Sequence, residues 1–208
     1  MKQIYKFLQV TLVGILLFAP QTRAKEQTTA KDVIETFNAT LLNVMQKATI
    51  LGYHGRNSTL KPVLLKTFDF PFMIEYAVGR SWKSFNEDQQ KKLVKAFSLF
   101  TIATYADRFN GYSGESFRIV KAVKSPQNTR LIKTELIKKN GKAIRLNYLL
   151  RNTGKGWQIM DIFLKGSISE LATKRSEYNM TVKRQGFDGL VSKINAKTAI
   201  LQAQSPPK

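Results

Sequence analysis

Residues 115–164 read ESFRIVKAVKSPQNTRLIKTELIKKNGKAIRLNYLLRNTGKGWQIMDIFL and alternate, over much of their length, between apolar and polar side chains. A period of two residues is typical of β-strands that bury one face. Three separators, SPQN, KNG and NTGK, consist of tight-turn residues, and Asn-Gly is the strongest hairpin signal among them. The stretch therefore predicts an antiparallel meander of four strands, at residues 115–124, 130–138, 142–151 and 156–164.

The third and fourth predicted strands differ in how many faces they bury. In the third, the even-numbered residues 144–150 are apolar and most odd-numbered ones are polar, so one face is expected to be buried. In the fourth, Ile159 and Phe163 share one face while Ile162 and Leu164 share the other. Both faces of that strand are therefore expected to be at least partly buried.

Helical periodicity precedes the strands. Apolar residues recur at helical spacing from a capping-box-like start at Thr29 to about Ala48. Residues 52–58, GYHGRNS, are rich in turn formers and predict a loop, after which a short helix begins near Thr59.

Two more helices are expected before the first strand. Pro71 fits the first turn of a short helix that Gly79 closes. The spacing of Ser84 and Glu87 then predicts the start of a long helix with a broad apolar arc, which ends before Gly111. An apolar arc that broad has to pack against other elements on more than one side of the helix.

Helical periodicity also follows the strands. A helix is expected to begin at residues 167–170 and to end at Gly186, and a last amphipathic helix is expected after Gly189. Helices on either side of a strand meander predict an α+β fold, in which a helical layer packs on a curved four-stranded antiparallel sheet. Such a fold can enclose an apolar cavity between its two layers.

The first residues have the layout of a secretory signal. Lys2 and Lys6 precede an apolar run at 7–18, and small residues stand at the minus-three and minus-one positions of a cleavage site after Ala24. The run has 12 residues, fewer than the approximately 20 of a spanning helix. We therefore expect a cleaved signal at residues 1–24, a single domain at 25–204, a disordered tail at 205–208 and a location in the periplasm.

The composition excludes some chemistry and narrows the partners. The chain has no cysteine, which excludes disulfides and thiolate sites, and its net charge is +20. An exported protein meets anionic lipid surfaces and acidic proteins more than nucleic acid, so no nucleic-acid partner is expected. The alternative is that the lysines only keep the protein in solution.

Five segments together resemble a known family. They are FDFP (68–71), AVGRSW (77–82), TYADRFNGYSGE (104–115), GWQIMD (156–161) and ISELATKRSE (168–177). In their order and spacing the chain resembles the MlaC-like toluene-tolerance family of periplasmic phospholipid-binding proteins, over nearly all of the chain after residue 24. The third and fifth segments are similar to its hopanoid-biosynthesis-associated HpnM branch.

The resemblance implies a fold and a role. A helical layer would cover a cystatin-like or NTF2-like sheet, with the acyl chains of a phospholipid or a hopanoid-type lipid between the layers and the head group near solvent. It also implies hand-over between an inner-membrane lipid transporter complex and an outer-membrane lipoprotein complex. The lipid would be cargo and not a cofactor, and we expect a monomer. The very basic surface departs from a typical member.

The candidates for the cavity lining combine apolar bulk with the inward faces inferred above. They are Tyr105, Phe109, Tyr112, Leu146, Tyr148, Ile159 and Phe163. For each one alone, ordinary core packing is the alternative role, because buried aromatic residues are usually part of the core.

Two arginines are candidates for contacting a lipid phosphate. Arg175 falls in an apolar helical stripe, and Arg108 stands beside the aromatic pair of Tyr105 and Phe109. The alternative is a structural ion pair with Asp161 or Asp107.

Nothing in the sequence indicates an enzyme or a metal site. His54 is the only histidine and falls in the expected loop, so a cluster of histidine ligands is excluded. No nucleophile elbow, phosphate loop or HExxH motif is present. The competing function is a non-lipid adaptor that docks on a membrane transporter through a basic face.

Overall fold

A computed structural model describes residues 28–203. The expected signal at 1–24 and the expected tail at 205–208 lie outside the described residues. The helices are α1 (Ala30–Gln46), α2 (Ala48–Thr67), α3 (Phe70–Val78), a 3-10 segment (Gly79–Ser84), α4 (Glu87–Arg108) and α5 (Glu170–Ala203). The strands are β1 (Ser116–Ser125), β2 (Thr129–Ile137), β3 (Ala143–Thr153), β4 (Gly156–Leu164) and β5 (Ile168–Ser169).

The strands form one antiparallel meander in the order β1-β2-β3-β4-β5. The four long strands confirm the sequence prediction to within two residues at each end. The fifth strand was not expected. Ile168 and Ser169 pair with Leu164 and Phe163, so the chain adds a short edge strand where the sequence suggested the first turn of a helix.

The helices pack on one face of this sheet. Inward-facing Ile132, Tyr148, Leu150 and Ile159 are all buried. Helix α1 contacts β1, β2 and β4, while α2, α3 and α5 contact β4. Helix α4 lies among the helices, against α2, α3 and α5. The predicted α+β architecture, with a helical layer on an antiparallel sheet, is confirmed.

Helix α4 begins two residues later than the sequence pattern suggested. Its N-cap is Asn86, whose side chain accepts a hydrogen bond from the backbone N–H of Gln89, while the Gln89 side chain accepts one from the backbone N–H of Asn86. Ser84 instead ends the preceding 3-10 segment. The reciprocal cap of Asn86 and Gln89 satisfies two backbone donors that would otherwise be orphaned.

The loop expected at residues 52–58 is wrong beyond Gly52, because residues 53–58 are helical. Gly52 itself has φ 56° and ψ −174°, which is not helical, and it divides α2 into two helical arms. The buried Arg56 donates hydrogen bonds to the carbonyls of Ala106 (2.8 Å) and Ala48 (3.1 Å). These tertiary contacts join α2 to the end of α4 and outweigh the local turn preference of the segment.

Helix α5 has two arms that meet at Gly186. This residue has φ 68° and ψ −166°, a backbone region open essentially to glycine alone. The break confirms the helix end predicted at Gly186. Glu177 on the first arm accepts contacts from Lys193 (3.2 Å) and Lys197 on the second, so the two arms are tied together by charge. Within residues 28–203, none of the helices has both the length and the apolar composition to cross a membrane.

Candidate functional site

A cavity of about 610 Å³ lies between the sheet and the helices. Its volume falls in the range of about 300–1,000 Å³ that ligand pockets occupy. The sheet contributes Leu136, Ile144, Leu146, Tyr148, Ile162 and Leu164. The helices contribute chiefly apolar side chains of α4, together with Met45, Met73 and Leu171. The protein therefore keeps an open apolar space between its two layers.

A β-bulge decides which residues of β4 reach the cavity. Leu150 pairs with Ile159 but Leu149 pairs with Asp161, so Met160 is an extra residue on β4. Because a one-residue shift exchanges the faces of a strand, Ile162 and Leu164 point inward after the bulge. They join Leu146 and Tyr148 of β3 as the sheet side of the cavity.

The helical side of the cavity is aromatic. Phe97, Phe100 and Tyr105 of α4 line it, as does its C-cap residue Phe109. The rings of Tyr105 and Phe109 are stacked with centroids 5.5 Å apart. Burial raises the pKa of the Tyr105 and Tyr148 hydroxyls, so both remain neutral at ordinary pH. The two tyrosines therefore add no charge to the lining.

Charged side chains line the cavity near the end of the sheet where β2 and β4 finish and β1 and β3 begin. They are Arg108, Glu115, Lys138, Glu170 and Lys174. Arg108 and Lys174 are close enough for the arginine charge to contribute to lowering the lysine pKa. The same end includes Asn110, Gly111 and Ser113 of the segment that follows α4. An amphipathic molecule would thus find apolar walls inside and charged groups at the end.

Lys174 is the most unusual of these charged residues. Its Nζ lies 5.0 Å from the ring centroid of Phe100 and 5.8 Å from that of Tyr178, with Glu177 Oε2 at 3.8 Å. Burial lowers the pKa of Lys174, while the neighbouring Glu177 opposes that shift. A cation held against two aromatic rings has lost part of its hydration and gains from an anionic ligand.

The structure brings five of the nine predicted site residues to the cavity. Tyr105, Arg108, Phe109, Leu146 and Tyr148 all line it. Their assignment as lipid contacts stays a prediction, whereas their position between the layers is observed.

The other four predicted residues lie elsewhere. Ile159 faces the helices before the bulge and is sealed in the core beside Phe68, to which it is bridged. Phe163 lies on the opposite face of the sheet, because the bulge reverses the alternation. Tyr112 is 45% exposed, outside the cavity lining. Arg175 stacks on Tyr76 at 4.6 Å and donates to its carbonyl.

The ion pairs considered for Arg108 and Arg175 do not form. Among residues 28–203, no carboxylate lies within 4 Å of either guanidinium. Asp161 is engaged elsewhere: its Oδ1 accepts from the N–H groups of Ile162 and Leu171, and its Oδ2 accepts from the Ser169 hydroxyl. It thereby caps the start of α5 and does not pair with either arginine.

Sequence reasoning missed several lining residues. Phe97, Phe100, Leu136, Ile144, Ile162, Leu164 and Lys174 were not among the candidates. For Lys174 a signal was available, since Leu171, Lys174 and Tyr178 also recur at helical spacing, and the choice of Arg175 was off by one residue.

Two surface grooves have larger volumes but a different location. One, of about 700 Å³, runs along α2 and α4, and the other, of about 760 Å³, lies beside α1, α2 and the β3–β4 turn. The first groove lies on the outside of the helices and the second at the end of the sheet. Both are more open to solvent than the cavity between the layers. Within the described range, no group of three or more acidic or histidine side chains could hold a metal ion, and His54 is exposed on α2.

Two comparisons with known proteins agree with this architecture. A phospholipid-binding protein from Ralstonia solanacearum, solved in complex with a phospholipid, superposes with a TM-score of 0.74 at 19% sequence identity, covering 84% of this chain and 99% of that one. That likeness shows a shared fold. The model of the MlaC protein family matches residues 34–196. The chain therefore belongs to the MlaC protein family.

Proposed function

We propose that this protein is a phospholipid-binding carrier of the periplasm, which holds acyl chains in the cavity between sheet and helices. The observation that carries the proposal is the cavity itself, apolar along Leu146, Ile162 and Phe100 and charged at one end. A lipid has the same division into apolar and charged parts. Family membership and the phospholipid bound by the Ralstonia protein support this assignment.

The apolar lining accounts for retention of the chains. Each methylene removed from water contributes about 0.8 kcal/mol, so one acyl chain gains on the order of 10 kcal/mol from burial. An apolar cavity keeps the acyl chain out of water while the protein crosses an aqueous compartment. The cargo is sequestered and not chemically changed, and the proposed role is not enzymatic.

The charged end accounts for the head group. Arg108 and Lys174 both line the cavity, and neither has a carboxylate of the described chain closer than 3.8 Å. A guanidinium binds phosphate oxygens in a bidentate manner, and an ammonium adds a point charge. We assign the phosphate to this pair. A hopanoid-type lipid is the second cargo class, since its fused rings also suit an apolar cavity.

The carrier is proposed to move lipid between membrane complexes of the cell envelope. An inner-membrane lipid transporter complex and an outer-membrane lipoprotein complex are the expected partners. Cleavage of residues 1–24 would release the protein into the space between the two membranes, where a carrier is needed.

Filling the cavity tests the binding proposal. Leu146→Trp adds bulk at the centre of the lining, whereas Val120→Trp adds the same ring to an outward bulge residue that is 54% exposed. Stripped protein would be titrated with a fluorescent phospholipid. We expect Leu146→Trp to weaken binding at least tenfold and Val120→Trp to leave it unchanged. Equal binding by both folded variants would refute the cavity as the site.

A further inference from the structure

We propose that the rim around the charged end of the cavity docks directly on an anionic phospholipid bilayer. The rim is defined as the segment 109–115 after α4 together with the β2–β3 turn, residues 138–142. This inference goes beyond the proposed function, because carriage by hand-over between protein complexes requires no contact with lipid bilayers.

The two parts of the rim adjoin one another. In the first part, Asn110, Gly111, Ser113 and Glu115 line the cavity, and in the second Lys138 does. A Cβ added at Gly114 would meet side-chain atoms of Lys139 at 3.6 Å, so the segment and the turn are packed side by side. Asn110, Gly111, Ser113 and Lys138 are also exposed, so the rim is a continuous surface at which the cavity opens to solvent.

The charge of the rim fits an anionic surface. Lys138, Lys139 and Lys142 are all exposed, and Glu115 is the single carboxylate of the two segments. The Glu115 carboxylate accepts a hydrogen bond from the N–H of Ser113, which holds the segment in shape. Basic side chains near an anionic bilayer contribute about 1 kcal/mol each.

The rim also carries an exposed aromatic residue. Tyr112 is 45% exposed and lies outside the cavity lining. Tyrosine and tryptophan side chains are enriched at the depth of lipid head groups, because their rings are apolar and their polar ends reach water. An exposed tyrosine on the same rim as exposed lysines has the character of a bilayer contact. An acidic protein would pair with the lysines but leave Tyr112 without a specific role.

Vesicle binding tests this docking surface. The purified protein would be sedimented with vesicles of phosphatidylcholine alone and of phosphatidylcholine mixed with phosphatidylglycerol. We expect binding only to the anionic vesicles, and less of it as salt is raised. Lys139→Gln with Lys142→Gln should weaken it about thirty-fold, from about 1 kcal/mol for each lysine. The matched control, Lys124→Gln with Lys155→Gln, removes the same charge at the opposite end of the sheet.

The outcomes separate this proposal from the cargo proposal. Bound phospholipid, measured by mass spectrometry in the same samples, should be equal in the double variant and its control, because Lys139 and Lys142 do not line the cavity. Tyr112→Ser should also reduce vesicle binding several-fold. The docking proposal is overturned if both double variants bind anionic vesicles alike. It is also overturned if Lys139 and Lys142 are needed to bind an acidic protein without lipid but are not needed to bind vesicles.

Discussion

Lys174 places its ammonium 5.0 Å from the ring centroid of Phe100, inside the lining of the cavity. The contact holds a positive charge beside apolar surface, where a lipid head group would meet its chains. Because burial lowers the pKa of this lysine, the charge is maintained at a cost that an anionic ligand would offset.

Removing the charge of Lys174 should weaken phospholipid binding. Lys174→Met keeps the length and apolar stem of the side chain. A hydrogen bond to a charged group contributes about 1.5–3 kcal/mol, so affinity should fall roughly 10- to 100-fold. Titration with a fluorescent phospholipid measures this. Lys183→Met, an exposed position on the same helix, is the control. Unchanged affinity in Lys174→Met would contradict the proposal that Lys174 binds the lipid head group.

Glu177 should make the stability of α5 sensitive to acid. Burial alone would raise the pKa of its carboxyl, but hydrogen bonds from Lys197 and Lys193 outweigh burial and lower it. The folded pKa then lies below the unfolded one, so the contribution is complete above about pH 4.5 and is lost as pH falls through the folded pKa.

Glu177→Gln isolates this effect. At neutral pH we expect a loss of about 2 kcal/mol in the free energy of unfolding, from the lost charged hydrogen bonds. Below pH 4.5 the difference from the unaltered protein should shrink. Urea unfolding followed by circular dichroism at several pH values measures both. A difference that stays constant with pH would contradict the assignment.

Gly186 should be intolerant of a side chain. Its φ of 68° with ψ −166° is strained for any residue with a Cβ, although no atom lies within 4 Å of the added carbon. Gly186→Ala should cost about 1–3 kcal/mol in unfolding free energy through backbone strain alone.

Gly111→Ala is the matched control for that change. Its added carbon also meets no atom within 4 Å, and its φ is not positive. Thermal unfolding should show a lower Tm for Gly186→Ala and little change for Gly111→Ala. A normal Tm for Gly186→Ala would mean that the two arms of α5 join with a different backbone geometry.

Most of the sheet could be predicted from the sequence, because the signals of its turns and strands are local. Turns such as Asn140-Gly141 and the alternation at 144–150 depend on neighbours in the chain, so β2 to β4 could be bounded closely. The bulge at Met160 could not be predicted. Both faces of β4 are apolar, so the sequence could not show which of Ile162 and Phe163 enters the cavity.

Long-range contacts explain the other errors. Residues 52–58 have a turn-like composition, yet the buried Arg56 bonds to a carbonyl 50 positions away and the segment is helical. The contact that places Lys174 in the cavity lining is made with Phe100 of another helix. Contacts of this kind have no signature in the spacing of one segment.

Native mass spectrometry of the protein purified without detergent shows whether the cavity holds a phospholipid. We expect a complex whose excess mass equals one phospholipid, released on extraction and absent from the folded Leu146→Trp variant. A protein that is fully folded, carries no lipid and takes none up from vesicles would contradict this expectation.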